Sequence, residues 1–250
     1  MKTLRSVAVA LCALALALSA SAKEKIAKVS FDFAEQSRVL YLFIPEKDGP
    51  MPVLILLHGS GRNGEILVES WKDLAKREGI ILAGPDAFNS ATWQSTVDPP
   101  EFFRAVIDQV KANHTIDQSR IYLFGHSAGA AYALFLAVVD SDLFAATAVH
   151  AGSLQTNPDG LFEQAERKMP IAIWVGDRDP NFPIDVVEAS RKLFASNGFD
   201  ITLHVIVNHD HNYYAISDEV NLKAWNFLKN ARLPATPADS AKDPASEAQP

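Results

Sequence analysis

The stretch Leu123-Phe124-Gly125-His126-Ser127-Ala128-Gly129 decides how this chain folds. Four β-favouring residues, Ile121 to Phe124, run into a turn of small residues that carries a serine, and an alanine-rich, helix-forming segment follows at once. A Gly-x-Ser-x-Gly pattern is short enough to arise by chance, and as a turn of small residues it need carry no chemistry. Its context gives it meaning, because strand, sharp turn and helix is the setting of a nucleophile elbow. The two glycines then have separate tasks: one lets the strand and helix backbones approach, and the other leaves room around the serine.

Outward from this stretch, short apolar runs alternate with amphipathic segments, the pattern of a mainly parallel sheet covered on both faces. Strands are predicted at Val29 to Phe33, Val39 to Ile44, Val53 to Leu57, Ile80 to Ala83, Ile121 to Phe124, Ala145 to His150, Ile171 to Val175 and Ile201 to Val207. The first two read as an antiparallel pair. Helices are predicted at Glu65 to Arg77, Pro100 to Ala112, Ala128 to Val138, Asp159 to Lys168, Asp185 to Ser196 and Asp218 to Asn230, with Pro100 suited to a first turn and Gly198 to a stop. The fold class is therefore α/β: a mostly parallel, twisted sheet of about eight strands with helices on both faces. The connection from Gly152 to Met169 has room for one helix, which leaves no large cap domain and an open crevice.

In such sheets reactive groups gather on loops beyond the carboxyl ends of the strands. Three of these loops are rich in chemistry. His58-Gly59-Ser60-Gly61-Arg62-Asn63-Gly64 can turn backbone amides inward toward an oxygen that gains charge, with Ser60 as the first donor and the Ala128 amide, at the head of the helix after Ser127, as the second. The lysine and hydroxyl residue of a phosphate-binding loop are missing from it. Gly176-Asp177-Arg178-Asp179-Pro180 offers a carboxylate to orient a histidine; Asp179 is preferred because Pro180 fixes the chain just beyond it, while Asp177 can pair with Arg178 or cap the turn. Asn208-His209-Asp210-His211-Asn212-Tyr213-Tyr214 offers two imidazoles, either of which could take a serine proton near neutral pH. A metal site at His209 and His211 would need further ligands, and no second cluster lies nearby in sequence.

The other histidines read more plainly. His126 sits beside the serine, yet the elbow points it away from the hydroxyl, so packing is expected; His58 braces the glycine loop from beneath; His114, His150 and His204 are core or surface residues. Trp93, Phe182, Tyr213 and Tyr214 are candidates to line the crevice.

Composition sets the boundaries. Of 250 residues 48% are hydrophobic and 21% charged, enough apolar material for one large core. Lys2 and Arg5, the apolar run Val7 to Leu18 and Ala20-Ser21-Ala22 read as a secretory signal over residues 1–22, too short in its apolar part for a spanning helix. Residues 23–232 are expected to form the catalytic domain, and 233–250, rich in Pro, Ala, Ser, Asp and Glu, are expected to form a disordered tail. The single cysteine, Cys12, lies in the leader, so the exported chain has no disulfide or thiolate chemistry. A net charge of −7 without basic blocks disfavours nucleic acid, and no stable membrane insertion is expected after the leader is removed.

The order Ser127, Asp179, His211, each after its own strand, resembles the α/β-hydrolase fold. Within it, the His58-Gly59-Ser60-Gly61 loop, the Gly125-His126-Ser127-Ala128-Gly129 elbow and the Gly176-x-x-Asp179-x-x-Phe182-Pro183 segment look like those of polyhydroxybutyrate depolymerases, feruloyl esterases and acetylxylan esterases, over nearly all of residues 28–230. The resemblance implies a secreted or periplasmic carboxylic ester hydrolase that needs no cofactor and acts on a small-molecule or polymeric ester. It also favours His211 over His209, since an aromatic segment follows the catalytic histidine of such hydrolases. Two departures stand out: relatives place glycine before that histidine where this chain has Asp210, and the disulfides common in polymer-degrading relatives are missing. A peptidase on the same fold shares the acyl chemistry, and a hydrolase-like binding protein shares the scaffold.

Overall fold

A computed structural model describes residues 25–154 and 160–234. The expected leader, residues 1–22, lies outside the described residues, as does the tail from residue 235. One eight-stranded sheet organises the chain, in the order β1-β2-β4-β3-β5-β6-β7-β8. Its strands are β1 (Ala27–Phe33), β2 (Gln36–Phe43), β3 (Met51–Leu57), β4 (Ile81–Pro85), β5 (Ile116–His126), β6 (Ala146–His150), β7 (Ile171–Gly176) and β8 (Ile201–Ile206). β1 and β2 pair antiparallel, β2 meets β4 antiparallel, and every pairing from β4 through β8 is parallel.

The strands at the centre are apolar on both faces because both faces are covered. All residues of β3, β4, β6 and β7 are buried, whereas β8 alternates at the sheet edge. The helices are α1 (Gly64–Glu78), α2 (Pro100–Lys111), α3 (Ala128–Val139), α4 (Ile184–Ser196) and α5 (Ser217–Leu228). One core layer holds Trp71, Leu67 and Val68 of α1 with Val220 and Trp225 of α5; the other holds Phe102 and Phe103 of α2, Leu134 and Leu136 of α3 and Phe194 of α4. Local chemistry ends the helices: the Asn63 side chain accepts the Ile66 amide at the start of α1, and Gly79 closes it at φ 74°.

Two elements differ from the sequence reading. The helix expected at Asp159 to Lys168 is reduced to a 3₁₀ turn, Phe162–Gln164, with Asp159 outside the described residues. Gly160 at φ 76° and Pro170 bound this connection, which apart from that turn has no regular secondary structure among the described residues. The Arg167 guanidinium donates to the carbonyls of Ser141, Phe144 and Ala145, while Leu161 and Phe162 anchor the turn in the core. β5 begins at Ile116, five residues before the apolar run, because tertiary bonds extend it: Ile116 pairs with Met51, and the Ser119 carbonyl accepts the Leu233 amide at 2.8 Å. Among the described residues, then, one 3₁₀ turn is the only regular element between β6 and β7.

Candidate active site

Ser127 follows the last residue of β5 and precedes the first of α3, at φ 57° and ψ −119°. A non-glycine residue held in this region is strained, and the surrounding structure must hold it there. Its amide donates to the His150 carbonyl at 3.1 Å. The elbow tolerates nothing larger than glycine on either side: a Cβ at Gly125 would lie 2.3 Å from the Gly129 carbonyl oxygen, and one at Gly129 would lie 2.1 Å from the Leu57 carbonyl oxygen. Strand, helix and the end of β3 are thereby pressed together around the serine.

The three residues expected to act together meet. His211 Nε2 is 2.9 Å from Ser127 Oγ, and His211 Nδ1 is 2.8 Å from Asp179 Oδ2. Because a carboxylate can only accept, the proton sits on Nδ1 and the Nε2 lone pair faces the serine hydroxyl. Asp179 is buried, and its other oxygen accepts the amides of Asn181 at 2.8 Å and Phe182 at 2.9 Å. Those bonds close a turn in which Pro180 stands, as the sequence led us to expect. Asp177 is exposed, and Arg178 bonds the Asn208 side chain instead of pairing with it. The His211 ring lies between two others, Phe182 stacked at 5.7 Å and 15° and His126 at 5.1 Å and 36°.

His209 points elsewhere. Its Nε2 is 3.3 Å from His150 Nε2, and His150 Nδ1 is in turn 3.2 Å from His126 Nδ1. Asn208 at φ 60° reverses the chain just before this pair, so that two histidines two residues apart diverge. Burial pushes the His126 imidazole down to about 4 and His150 down to about 2, with repulsion from neighbouring histidines adding to both. The sequence reading treated His150 as an ordinary core or surface residue and His126 as packing. It missed that the ends of two adjacent strands bring them into one chain, which no local pattern could reveal.

The glycine loop after β3 closes over the serine. Gly59 lies so near that a Cβ there would be 3.2 Å from Ser127 Cβ. Among the described residues, neither the Ser60 nor the Ala128 backbone N–H has a protein acceptor. His58 braces the loop as expected: its Nδ1 donates to the Gly59 carbonyl at 2.9 Å and its Nε2 accepts the Ala87 amide at 3.0 Å. Those two bonds fix the tautomer, and burial lowers the His58 pKa.

A cavity of about 350 Å³ opens onto this group, lined by Gly59, Ser60, Arg62, Asp210, Tyr213 and Tyr214 together with Ser127 and His211. The Arg62 guanidinium sits over the Tyr214 ring, 5.5 Å from its centre. Two candidates for this lining, Phe182 and Trp93, are not part of it. Phe182 stacks on His211 instead, and Trp93 is buried beside Tyr132 and donates its indole N–H to the His58 carbonyl at 2.9 Å, supporting the glycine loop from behind.

A profile of the dienelactone hydrolase family matches residues 84–233, more than half of the chain. The chain belongs to the dienelactone hydrolase family. Membership makes it a hydrolase of that family. It is 29% identical over 161 residues to a bifunctional acetylxylan esterase/xylanase of Neocallimastix patriciarum, covering 62% of this chain and 23% of that one. It is 30% identical over 114 residues to poly(3-hydroxyalkanoate) depolymerase C of Paucimonas lemoignei, covering 40% of this chain and 28% of that one. The chain thus spans well under half the length of these curated relatives. A ferulic acid esterase from Anaeromyces mucronatus shares the fold at a TM-score of 0.67 and 18% identity, over 83% of this chain and 90% of that one.

Proposed function

We propose that this member of the dienelactone hydrolase family is an exported serine esterase in which Ser127, His211 and Asp179 form the catalytic triad. One observation carries the reading: an unbroken line of hydrogen bonds runs from Ser127 Oγ through His211 to Asp179 and opens onto a cavity. In the first step Ser127 Oγ bonds to the ester carbonyl carbon while His211 Nε2 takes its proton. The carbonyl oxygen becomes an oxyanion, received by the Ser60 and Ala128 amides, each contributing about 3 kcal/mol to lowering the barrier. Collapse breaks the ester C–O bond, and His211 returns the proton to the departing alcohol. Water, deprotonated by His211, then cleaves the acyl-enzyme and frees the acid. Asp179 holds the His211 tautomer and stabilises its charged form throughout.

The substrate class proposed is an exposed ester on a bulky or polymeric molecule, of feruloyl, acetylxylan or hydroxyalkanoate type. Two things support it: the single 3₁₀ turn among the described residues between β6 and β7, and relatives named for acetylxylan and hydroxyalkanoate esters. The leader expected at residues 1–22 supports action outside the cytoplasm, in the periplasm or beyond the cell.

A fluorophosphonate probe and a panel of acetyl, feruloyl and hydroxybutyryl esters test the reading. The native chain takes up one equivalent of label, and Ser127→Ala takes up none while losing about six orders of magnitude in turnover. Undiminished hydrolysis by purified Ser127→Ala removes the proposal.

A further inference from the structure

The reaction described above leaves three buried imidazoles without a task. His126 ends β5, His150 ends β6, and His209 stands on the loop after β8, two residues before His211. Their rings are joined end to end by the contacts of 3.2 and 3.3 Å, and His150 is wholly buried. Three polar rings in a core are costly unless every nitrogen in contact is paired in the right sense. A neutral imidazole has one N–H and one lone pair, so His150 must accept on one side and donate on the other.

The direction follows from one further contact. His126 Nδ1 also lies 3.4 Å from the His150 carbonyl oxygen, which can only accept. The proton therefore sits on His126 Nδ1 and is offered to the carbonyl and to His150 Nδ1. His150 then donates from Nε2 to His209 Nε2, and His209 carries its own proton on Nδ1. Backbone contacts pin the far end: the His209 carbonyl accepts the Arg178 amide at 2.9 Å and lies so close to Gly176 that a Cβ there would be 2.1 Å away. Tyr213 stacks on His126 at 5.0 Å and holds the near end from below.

We propose that His126, His150 and His209 are positioning residues for His211, a directional imidazole chain that ties the His211 loop to the two strand ends flanking Ser127 and keeps a neutral ring against His211. This rests on the reading of His211 as the base. In turnover His211 becomes an imidazolium, and the His126 ring is its neighbour on one face. A neutral ring there tolerates that charge, and a charged one would oppose it. The charged groups facing the chain are Asp179 and Arg62 near His126 and Glu219 near His209, together with His211 itself. Burial, which lowers the affinity of His126 and His150 for protons, keeps both neutral while the reaction runs.

The test compares His209→Leu and His209→Gln with the native chain on an aryl acetate. Turnover is normalised to folded protein, and the low-field proton resonance of His211 Nδ1–H is followed. His209→Leu cuts kcat by on the order of 100-fold with KM within about twofold, as a small displacement of a catalytic group does, and moves the resonance. His209→Gln, whose amide can meet His150 Nε2, restores most of kcat. A folded His209→Leu with native kcat and an unmoved resonance overturns the proposal, as does a Gln variant no better than Leu. Should His209→Leu not fold, imidazole nitrogen shifts of the native chain decide: protons must lie on His126 Nδ1, His150 Nε2 and His209 Nδ1, and any other set refutes the chain. Failure of the native protein to hydrolyse any ester would instead refute the functional reading, and the nitrogen shifts would still report on the chain.

Discussion

Replacing Asp179 with asparagine changes one atom and reverses one proton. In the native chain Oδ1 accepts the Asn181 and Phe182 amides at 2.8 and 2.9 Å, and Oδ2 accepts from His211 Nδ1 at 2.8 Å. The two amides need an acceptor, so the asparagine oxygen takes the Oδ1 position and its NH₂ faces His211. That group can only donate, so His211 Nδ1 must become the acceptor and its proton must move to Nε2. An N–H then points at Ser127 Oγ, 2.9 Å away, where a lone pair is required to take the hydroxyl proton. With the geometry kept and the tautomer wrong, kcat falls by about 10⁴, equal to about 5 kcal/mol of barrier. Stability changes little, because every donor at the site still has a partner. Asp179→Ala behaves differently: it strands two buried amides and a ring N–H, and costs roughly 3 kcal/mol of stability as well as the activity. Steady-state hydrolysis of p-nitrophenyl acetate and denaturant unfolding of both variants check the pair. An Asp179→Asn protein that keeps more than about a tenth of native kcat refutes the role given to the carboxylate.

Two further outcomes concern stability. His126 and His150 bind protons less readily folded than unfolded, so stability is complete above about pH 6.5 and is lost as pH falls, the His126 share until about 4 and the His150 share on toward about 2. At pH 5 the two together cost about 4 kcal/mol, or a Tm about 10 °C below that at pH 7.5. Asp140, which burial pushes up to about 7, titrates in the opposite sense and gains stability as pH falls, so the slope is measured by calorimetry in Asp140→Asn; a flat Tm between pH 7.5 and 5 in that variant rejects neutral burial of the histidines. Arg38→Met leaves the buried Asp98 carboxylate, 2.5 Å from the guanidinium, without its charge partner and destabilises by about 4 kcal/mol. Asp98 also receives the Phe88 and Gln94 amides of the segment that supports the glycine loop, so kcat drops too; urea unfolding within about 1 kcal/mol of native contradicts this.

The sheet and the elbow were legible in the order of the residues alone. The central strands β3, β4, β6 and β7 were legible because strands covered on both faces read as unbroken apolar runs, and Ser127 was legible because the strand, small-residue turn and helix around it are contiguous in the chain, although the contact that demands Gly129 comes from Leu57 on another strand. The turn chemistry around Asp179 was equally local. Tertiary structure alone decided which imidazole reaches Ser127, since His209 and His211 occupy one loop and their directions come from Asn208, Gly176 and the strand ends they meet. It decided that residues 160–168 form one 3₁₀ turn and no longer helix, because Arg167 finds three carbonyls more than twenty positions away in the chain. It also assembled the His126, His150 and His209 chain and the Arg38 to Asp98 pair. Helix and strand periods repeat over neighbouring residues and can be read in a line, whereas these contacts join segments whose separation in sequence carries no trace of their meeting in space.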